Sequence, residues 1–180
     1  MTESAVTIEE EKEIDSLETE QVVVFKLENE EYAAPILTVQ EIIPTGDITP
    51  FPNVPSYIAG IINVRGTVAT VINLSGRFNL TRKETDNIDK YIILTKNDKS
   101  LYGVMVDDVT SVMKIPLNKI KDASSTIESK INNNYIEKVA VTDNHIILIL
   151  DFKKILEEEA IQNIASEASL PDEGSSSKKD

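Results

Sequence analysis

Few side chains in this sequence could carry covalent or acid–base chemistry. Its 180 residues include no Cys, which excludes a disulfide framework, a thiolate metal site and a Cys nucleophile. The single imidazole, His145, follows the turn signal Thr142-Asp143-Asn144 and begins an alternating apolar run. A surface residue at a strand end accounts for that pattern better than a catalytic base does. Asp107-Asp108 place two carboxylates side by side, but neighbours on a strand point to opposite faces and neighbours in a turn are solvated. No Glu-x-x-His, Gly-x-x-x-x-Gly-Lys or Gly-x-Gly-x-x-Gly occurs, and the glycines are scattered singly. Asn73-Leu74-Ser75 and Asn79-Leu80-Thr81 match a glycosylation spacing that is short and common by chance. These residues describe a protein that binds rather than catalyses, with no cofactor and no metal.

The elements that would position a binding surface are mostly strands. Val22–Phe25 and Tyr32–Ile36 flank a turn at Glu28–Glu31, and Ile61–Val64 and Thr67–Ile72 flank Arg65-Gly66, so both stretches read as hairpins. Tyr91–Leu94, Leu101–Val106, Val109–Met113, Val139–Val141 and His145–Leu150 supply further strands. The 24 Ile residues suit them, because β-branching favours extended backbone. A short helical turn is expected over Leu37–Ile43, with Val39, Ile42 and Ile43 on one face. A final helix is expected from Phe152 to about Ile164, N-capped by Asp151. Prolines at 44, 50, 52 and 55 make the stretch between them an irregular, stiff connection.

Charge separates the core from the ends. The formal net charge is −13; residues 1–20 contribute −7, residues 157–180 contribute −5, and residues 21–156 only −1. The expected organisation is an acidic disordered arm over 1–20, a folded part over 21–158, and a helix end with a disordered tail over 159–180. The folded part has no basic stripe, and its aromatics sit at repeat-anchored positions, both of which argue against a nucleic-acid-binding barrel. With no apolar run of about 18 residues and no signal-peptide pattern, the expected location is the cytoplasm, without membrane insertion.

An internal repeat organises the folded part. At an offset of 70, Tyr32 meets Tyr102, Ile36 meets Val106, Val39 meets Val109 and Ile42 meets Val112. At an offset of 78, Tyr57 meets Tyr135, Ile61 meets Val139, and Val68, Val71, Ile72 and Leu74 meet Ile146, Ile149, Leu150 and Phe152. Each half reads hairpin, crossover, hairpin. Two intertwined halves, about 21–90 and 91–158, each a small closed five-stranded barrel, would leave no exposed sheet edge.

Tyr57-Ile58-Ala59-Gly60-Ile61-Ile62-Asn63-Val64-Arg65-Gly66 resembles the signature of the CheW family of chemotaxis adaptors. Glu31–Ile36, Val39-Gln40-Glu41-Ile42-Ile43 and Val104–Val109 are similar to other family segments, in the same order, so the resemblance covers about residues 20–158. This chain departs from the family at Asn73-Leu74, where Asp-Leu is usual. The resemblance implies an all-β fold of two packed five-stranded SH3-like barrels with a C-terminal helix. It implies a non-enzymatic scaffold in membrane-associated signalling arrays, coupling the cytoplasmic tips of chemoreceptors (methyl-accepting chemotaxis proteins) to the regulatory domain of the histidine kinase CheA. The alternative within the family is a CheW-like domain of a longer CheA or CheV-type protein. Met1 and the charged tail favour a complete short chain.

By the same resemblance, a receptor's helical hairpin would lie in the groove between the halves, met by Val39, Glu41, Ile42, Gly60, Ile62, Val64 and Arg65. Gly60 would either adopt positive φ or leave room for a helix, and Val39 and Ile42 would be anchors or core. Arg65 has Asp143 as its repeat mate, so its charge does not follow from the repeat, and Glu41 is its expected local partner. The loop from Lys121 to Ile127 would meet the kinase, although Ser124-Ser125-Thr126 departs from the bulkier family sequence. Because the acidity belongs to the ends, deleting residues 1–18 and 166–180 is expected to leave the melting temperature within a few degrees. A thermal melt checks this, and loss of cooperative unfolding would contradict it.

Overall fold

The structure, a computed structural model, describes residues 18–80, 91–123, 131–143 and 145–168. Eleven strands are described: β1 (Thr19–Leu27), β2 (Glu30–Pro35), β3 (Glu41–Pro44), β4 (Ile58–Val64), β5 (Thr67–Asn73), β6 (Tyr91–Asn97), β7 (Ser100–Val106), β8 (Asp108–Pro116), β9 (Ile120–Asp122), β10 (Ile136–Val141) and β11 (Ile146–Leu150). Three α-helical segments accompany them: α1 (Leu74–Arg77), α2 (Phe152–Leu156) and α3 (Glu159–Ala168). One sheet runs β8-β1-β2-β11-β10-β9, the other β3-β6-β7-β5-β4. The β8–β9 bend closes the first sheet on itself (barrel A). In the second (barrel B), Thr49 bridges back to Ile61 and stands where β9 stands in the first. Pro50, which has no N–H to donate, follows that bridge and keeps this edge from lengthening into a strand.

The sequence repeat is present at the level of residue pairs. Tyr32 lies opposite Leu148 in a parallel pairing of β2 with β11, and Tyr102 lies opposite Thr70 in a parallel pairing of β7 with β5. Ile42 faces Ile93 as Val112 faces Val23. The β4–β5 and β10–β11 ladders each slip register at the corresponding point, between Ile58 and Gly60 and between Ile136 and Lys138. Asn73 caps α1 through Gly76 N–H, and Asp151 caps α2 through Lys154 N–H, as expected for Asp151. Tyr32 and Tyr102 are both buried.

Each sheet draws strands from both 21–90 and 91–158. Each repeat gives its first hairpin to the other repeat's barrel: β1–β2 joins β8–β11, and β6–β7 joins β3–β5. The expected arm over 1–20 is also shorter than its charge suggested. β1 begins at Thr19, the Glu18 carbonyl accepts from Leu117 N–H at 3.0 Å, and Glu20 pairs with Lys138 at 2.9 Å. Most of the charged arm lies outside the described residues.

Two helical expectations are corrected. Residues 36–38 form one 3-10 turn, and Glu41–Pro44 is a strand, because backbone pairing with β6 is available there and so short a segment cannot bury a helical face. The final helix is broken at Glu157 and Glu158, where Glu158 reaches Arg77 instead of continuing the spiral.

One of the apolar clusters draws on both barrels: Phe25, Leu27 and Tyr32 of the first hairpin meet Ile93, Val104 and Val106 of the second, together with Phe152 and Ile155 of α2. Truncating Tyr32 or Tyr102 to Ala is expected to cost about 3–5 kcal/mol each, because both sites are fully enclosed. Equilibrium denaturation checks this. Each truncation should give one cooperative transition for the whole molecule, not loss of one barrel.

Candidate functional site

Between the barrels runs a groove of about 490 Å³. One wall is the β2–β3 crossover, with Leu37, Val39 and Gln40. The floor includes Thr95 and Lys96 of β6, and the other wall is α2, with Phe152, Lys153 and Leu156. The crossover is pinned: Gln40 N–H donates to Leu94 O at 2.8 Å, and Thr95 Oγ1 donates to Thr38 O at 2.6 Å. Pinning turns Leu37 outward, where it is 96% exposed. A large aliphatic side chain held in water beside a groove is unfavourable in isolation and is the kind of group a partner covers. Leu37 was not among the residues singled out from the sequence; its position just before the Val-x-Glu-Ile segment was the available signal.

The expected residues divide into three groups. Glu41 and Arg65 are brought together where β3 meets the β4–β5 turn. Glu41 follows groove-lining Gln40, and the Arg65 guanidinium grips its carboxylate with both terminal nitrogens, Nη1 at 3.3 Å from Oε1 and Nη2 on Oε2. The Arg65 side chain remains mostly solvated, 72% exposed, while Glu41 is largely covered. Arg65 reaches this position from a tight turn. Arg65 has φ 48° and Gly66 φ 84°, as a two-residue type I′ hairpin requires, and the Asn63 side chain accepts from Gly66 N–H at 2.8 Å. The fork geometry of Arg suits a bidentate grip that Lys could not reproduce.

Val39 and Ile42 pack against the shared core, and Val39 also lines the groove. Ile62 and Val64 pack inside barrel B with Ile43 and Ile48, half-covered rather than presented as a stripe. Gly60 is explained within the chain. It is buried at φ 143°, and a Cβ there would sit 2.1 Å from Thr49 O, in the bridge where Thr49 and Ile61 exchange hydrogen bonds. The close approach that needs glycine is made by this chain's own backbone, not by space left for a helix.

Of the expected kinase-side residues, Lys121 is exposed on β9 opposite Val139, and Ile127 lies outside the described residues. That end of barrel A also presents Leu117 and the paired Val141 and Ile146, all exposed, with Lys119 reaching Asp143 at 3.5 Å. Asp143, the repeat mate of Arg65, therefore serves a different contact. The residues first tested for chemistry have structural partners: His145 Nε2 lies 2.9 Å from Glu31 Oε2, and Asp107 Oδ2 accepts from Glu28 N–H in a turn where Glu28 has φ 56°. Among the described residues no group of three or more potential ligands gathers for a metal, and no helix is long and apolar enough to cross a membrane.

Comparison with known proteins agrees with this geometry. The family model for the CheW-like domain matches residues 21–160. The chemotaxis protein CheW of Bacillus subtilis is 30% identical over 154 residues, covering 86% of this chain and 94% of that protein. The chemotaxis protein CheW of Treponema pallidum is 29% identical over 150 residues, covering 81% and 87%. The crystal structure of the scaffolding protein TtCheW from Thermoanaerobacter tengcongensis superposes with a TM-score of 0.70 at 31% identity, over 79% of this chain and 91% of that one. With a family-model match over most of its length and a fold shared with a scaffolding protein of that family, the chain belongs to the CheW family of non-enzymatic chemotaxis scaffold proteins.

Proposed function

We propose that this scaffold couples chemoreceptors to a histidine kinase through two separate faces. The groove receives the helical hairpin tip of a receptor's cytoplasmic domain, and the exposed end of barrel A meets the regulatory domain of CheA. The observation that carries this reading is the exposed Leu37 on a groove walled by both repeats, with Glu41, paired to the exposed Arg65, next along the chain from groove-lining Gln40. A helix in a groove binds through apolar anchors at one-turn spacing with polar groups at the rim, which this surface supplies. Leu117, Val141 and Ile146 around Lys121 give the second face an apolar centre with charged neighbours. Binding to receptor tips would hold the protein at the cytoplasmic side of the membrane without inserting it.

The test is a pair of titrations and a thermal melt. Arg65→Glu is expected to weaken binding to a receptor hairpin fragment by about tenfold or more. It should leave binding to the CheA regulatory domain within twofold and the melt nearly unchanged. Combined with Glu41→Arg, it should regain receptor binding if the pair shapes the rim. Unfolding of Arg65→Glu would make Arg65 a structural pin, and equal loss toward both partners would contradict two separate faces.

A further inference from the structure

The family match ends at residue 160, within the first turn of α3, yet α3 continues to Ala168. Ile161, Ile164 and Ala165 are buried on barrel B against Ile58, Ile72 and Tyr102. Gln162 fastens the helix at both ends of its side chain: Nε2 donates to Leu156 O at 2.6 Å, and Oε1 accepts from the Tyr102 hydroxyl at 3.2 Å. Leu156 is the last residue of α2. It lies beneath α3 and also lines the groove, so one side chain belongs to both surfaces.

The break between α2 and α3 is held by a charge. Arg77 Nη2 lies 2.7 Å from Glu158 Oε2. The guanidinium sits 5.0 Å from the ring centroids of both Tyr57 and Tyr135, which are repeat mates, and donates to the Tyr135 hydroxyl. Only 17% of the Arg77 side chain is exposed. Two aromatic faces and a carboxylate around a mostly desolvated guanidinium make a strong, directional contact. Burial, and then the adjacent Glu158 carboxylate, push the Tyr57 phenol up to about 12, which marks how enclosed the joint is.

We infer that α3 is a strap that keeps the α2 wall of the groove in its binding position, with Arg77 and Glu158 as its latch. α2 is only five residues long, too short to be stable alone, so its placement must come from what it is anchored to. Phe152 and Ile155 anchor one side in the shared core, and the strap anchors Leu156 on the other. Releasing the strap frees the Leu156 end and loosens the wall while leaving Leu37 and the Glu41–Arg65 pair untouched. The effect on binding rests on the proposed receptor-binding role of the groove; the effect on α2 does not.

The experiment compares the full chain, a chain ending at Glu158, and Glu158→Gln. Hydrogen exchange is read at the Lys154 and Ile155 amides, which donate to the Asp151 side chain and carbonyl. Titrations use a chemoreceptor cytoplasmic-tip fragment and the CheA regulatory domain. Removing α3 is expected to speed α2 exchange and weaken the receptor fragment about tenfold, with kinase-domain binding unchanged. Glu158→Gln should act in the same direction to a smaller extent and lower the Tyr57 titration toward the ordinary phenol range. A peptide of residues 159–168, added back to the shortened chain, should restore both readouts. Unchanged α2 exchange, or unchanged or stronger receptor binding despite a loosened α2, would overturn the inference. If the full chain binds no receptor fragment, the groove reading falls. The strap is then judged by exchange alone, standing if α2 speeds up and failing if it does not. If the shortened chain does not melt cooperatively, Glu158→Gln decides by the same criteria.

Discussion

The parallel pairings of β2 with β11 and of β7 with β5 are the constraint on which the rest of this structure depends. Each joins the first hairpin of one repeat to the second hairpin of the other, across a long stretch of chain. Neither barrel can therefore be completed by its own repeat. Phe25, Tyr32, Ile93 and Val104, from both first hairpins, share one core with α2, so separating the barrels would expose that core to water. A scaffold has no reaction to perform. What it offers is a surface whose parts stay at fixed separation, and the interlocked core holds one side of the α2 wall through Phe152 and Ile155.

The near-symmetry of the repeats makes their departures informative. Equivalent ladders, bulges and helix caps recur, but Glu41 and Arg65 have Ser111 and Asp143 as counterparts, which cannot form the same pair. At the rim of barrel B a charged clamp joins β3 to the β4–β5 turn. In barrel A the corresponding strand, β8, is exposed at Thr110, Ser111 and Val112, and the β10–β11 turn is left with apolar Val141 and Ile146 in water. One repeat unit has thus yielded two different surfaces, one suited to a helix groove with a polar rim and one to an apolar end-on contact.

Much of the architecture was legible in the sequence. The hairpins showed themselves through β-branched runs around turn residues, and the offsets of 70 and 78 predicted matched positions for Tyr32 and Tyr102. The expectation of intertwined halves did not extend to which hairpins change places. Repeat mates present similar apolar faces, so a hairpin finds nearly the same surface in its own barrel as in the other, and pattern alone cannot choose between them. At Leu37–Ile43 a helical period over seven residues yielded to strand pairing with β6, because too few turns were available for period to outweigh backbone hydrogen bonds. The Glu41–Arg65 pair could be anticipated from opposite charges in two segments expected to pack. Gly60 could not be resolved from sequence, since its neighbour Thr49 lies in a proline-rich connection with no periodicity to place it. Arg77 escaped notice because its partners, Tyr57, Tyr135 and Glu158, come from three separate segments that meet only in the folded chain.

The central claim is that the groove works as one surface built from both repeats. Its most direct test is an amide chemical-shift map of the full chain titrated with a chemoreceptor tip fragment. The account predicts perturbations at Leu37–Glu41 and Val64–Arg65 from one repeat together with Leu150–Leu156 from the other, saturating at a single affinity. The Leu117, Lys121 and Ile146 end should stay unshifted. Perturbations confined to one repeat, or centred on the Leu117–Ile146 end, would contradict it.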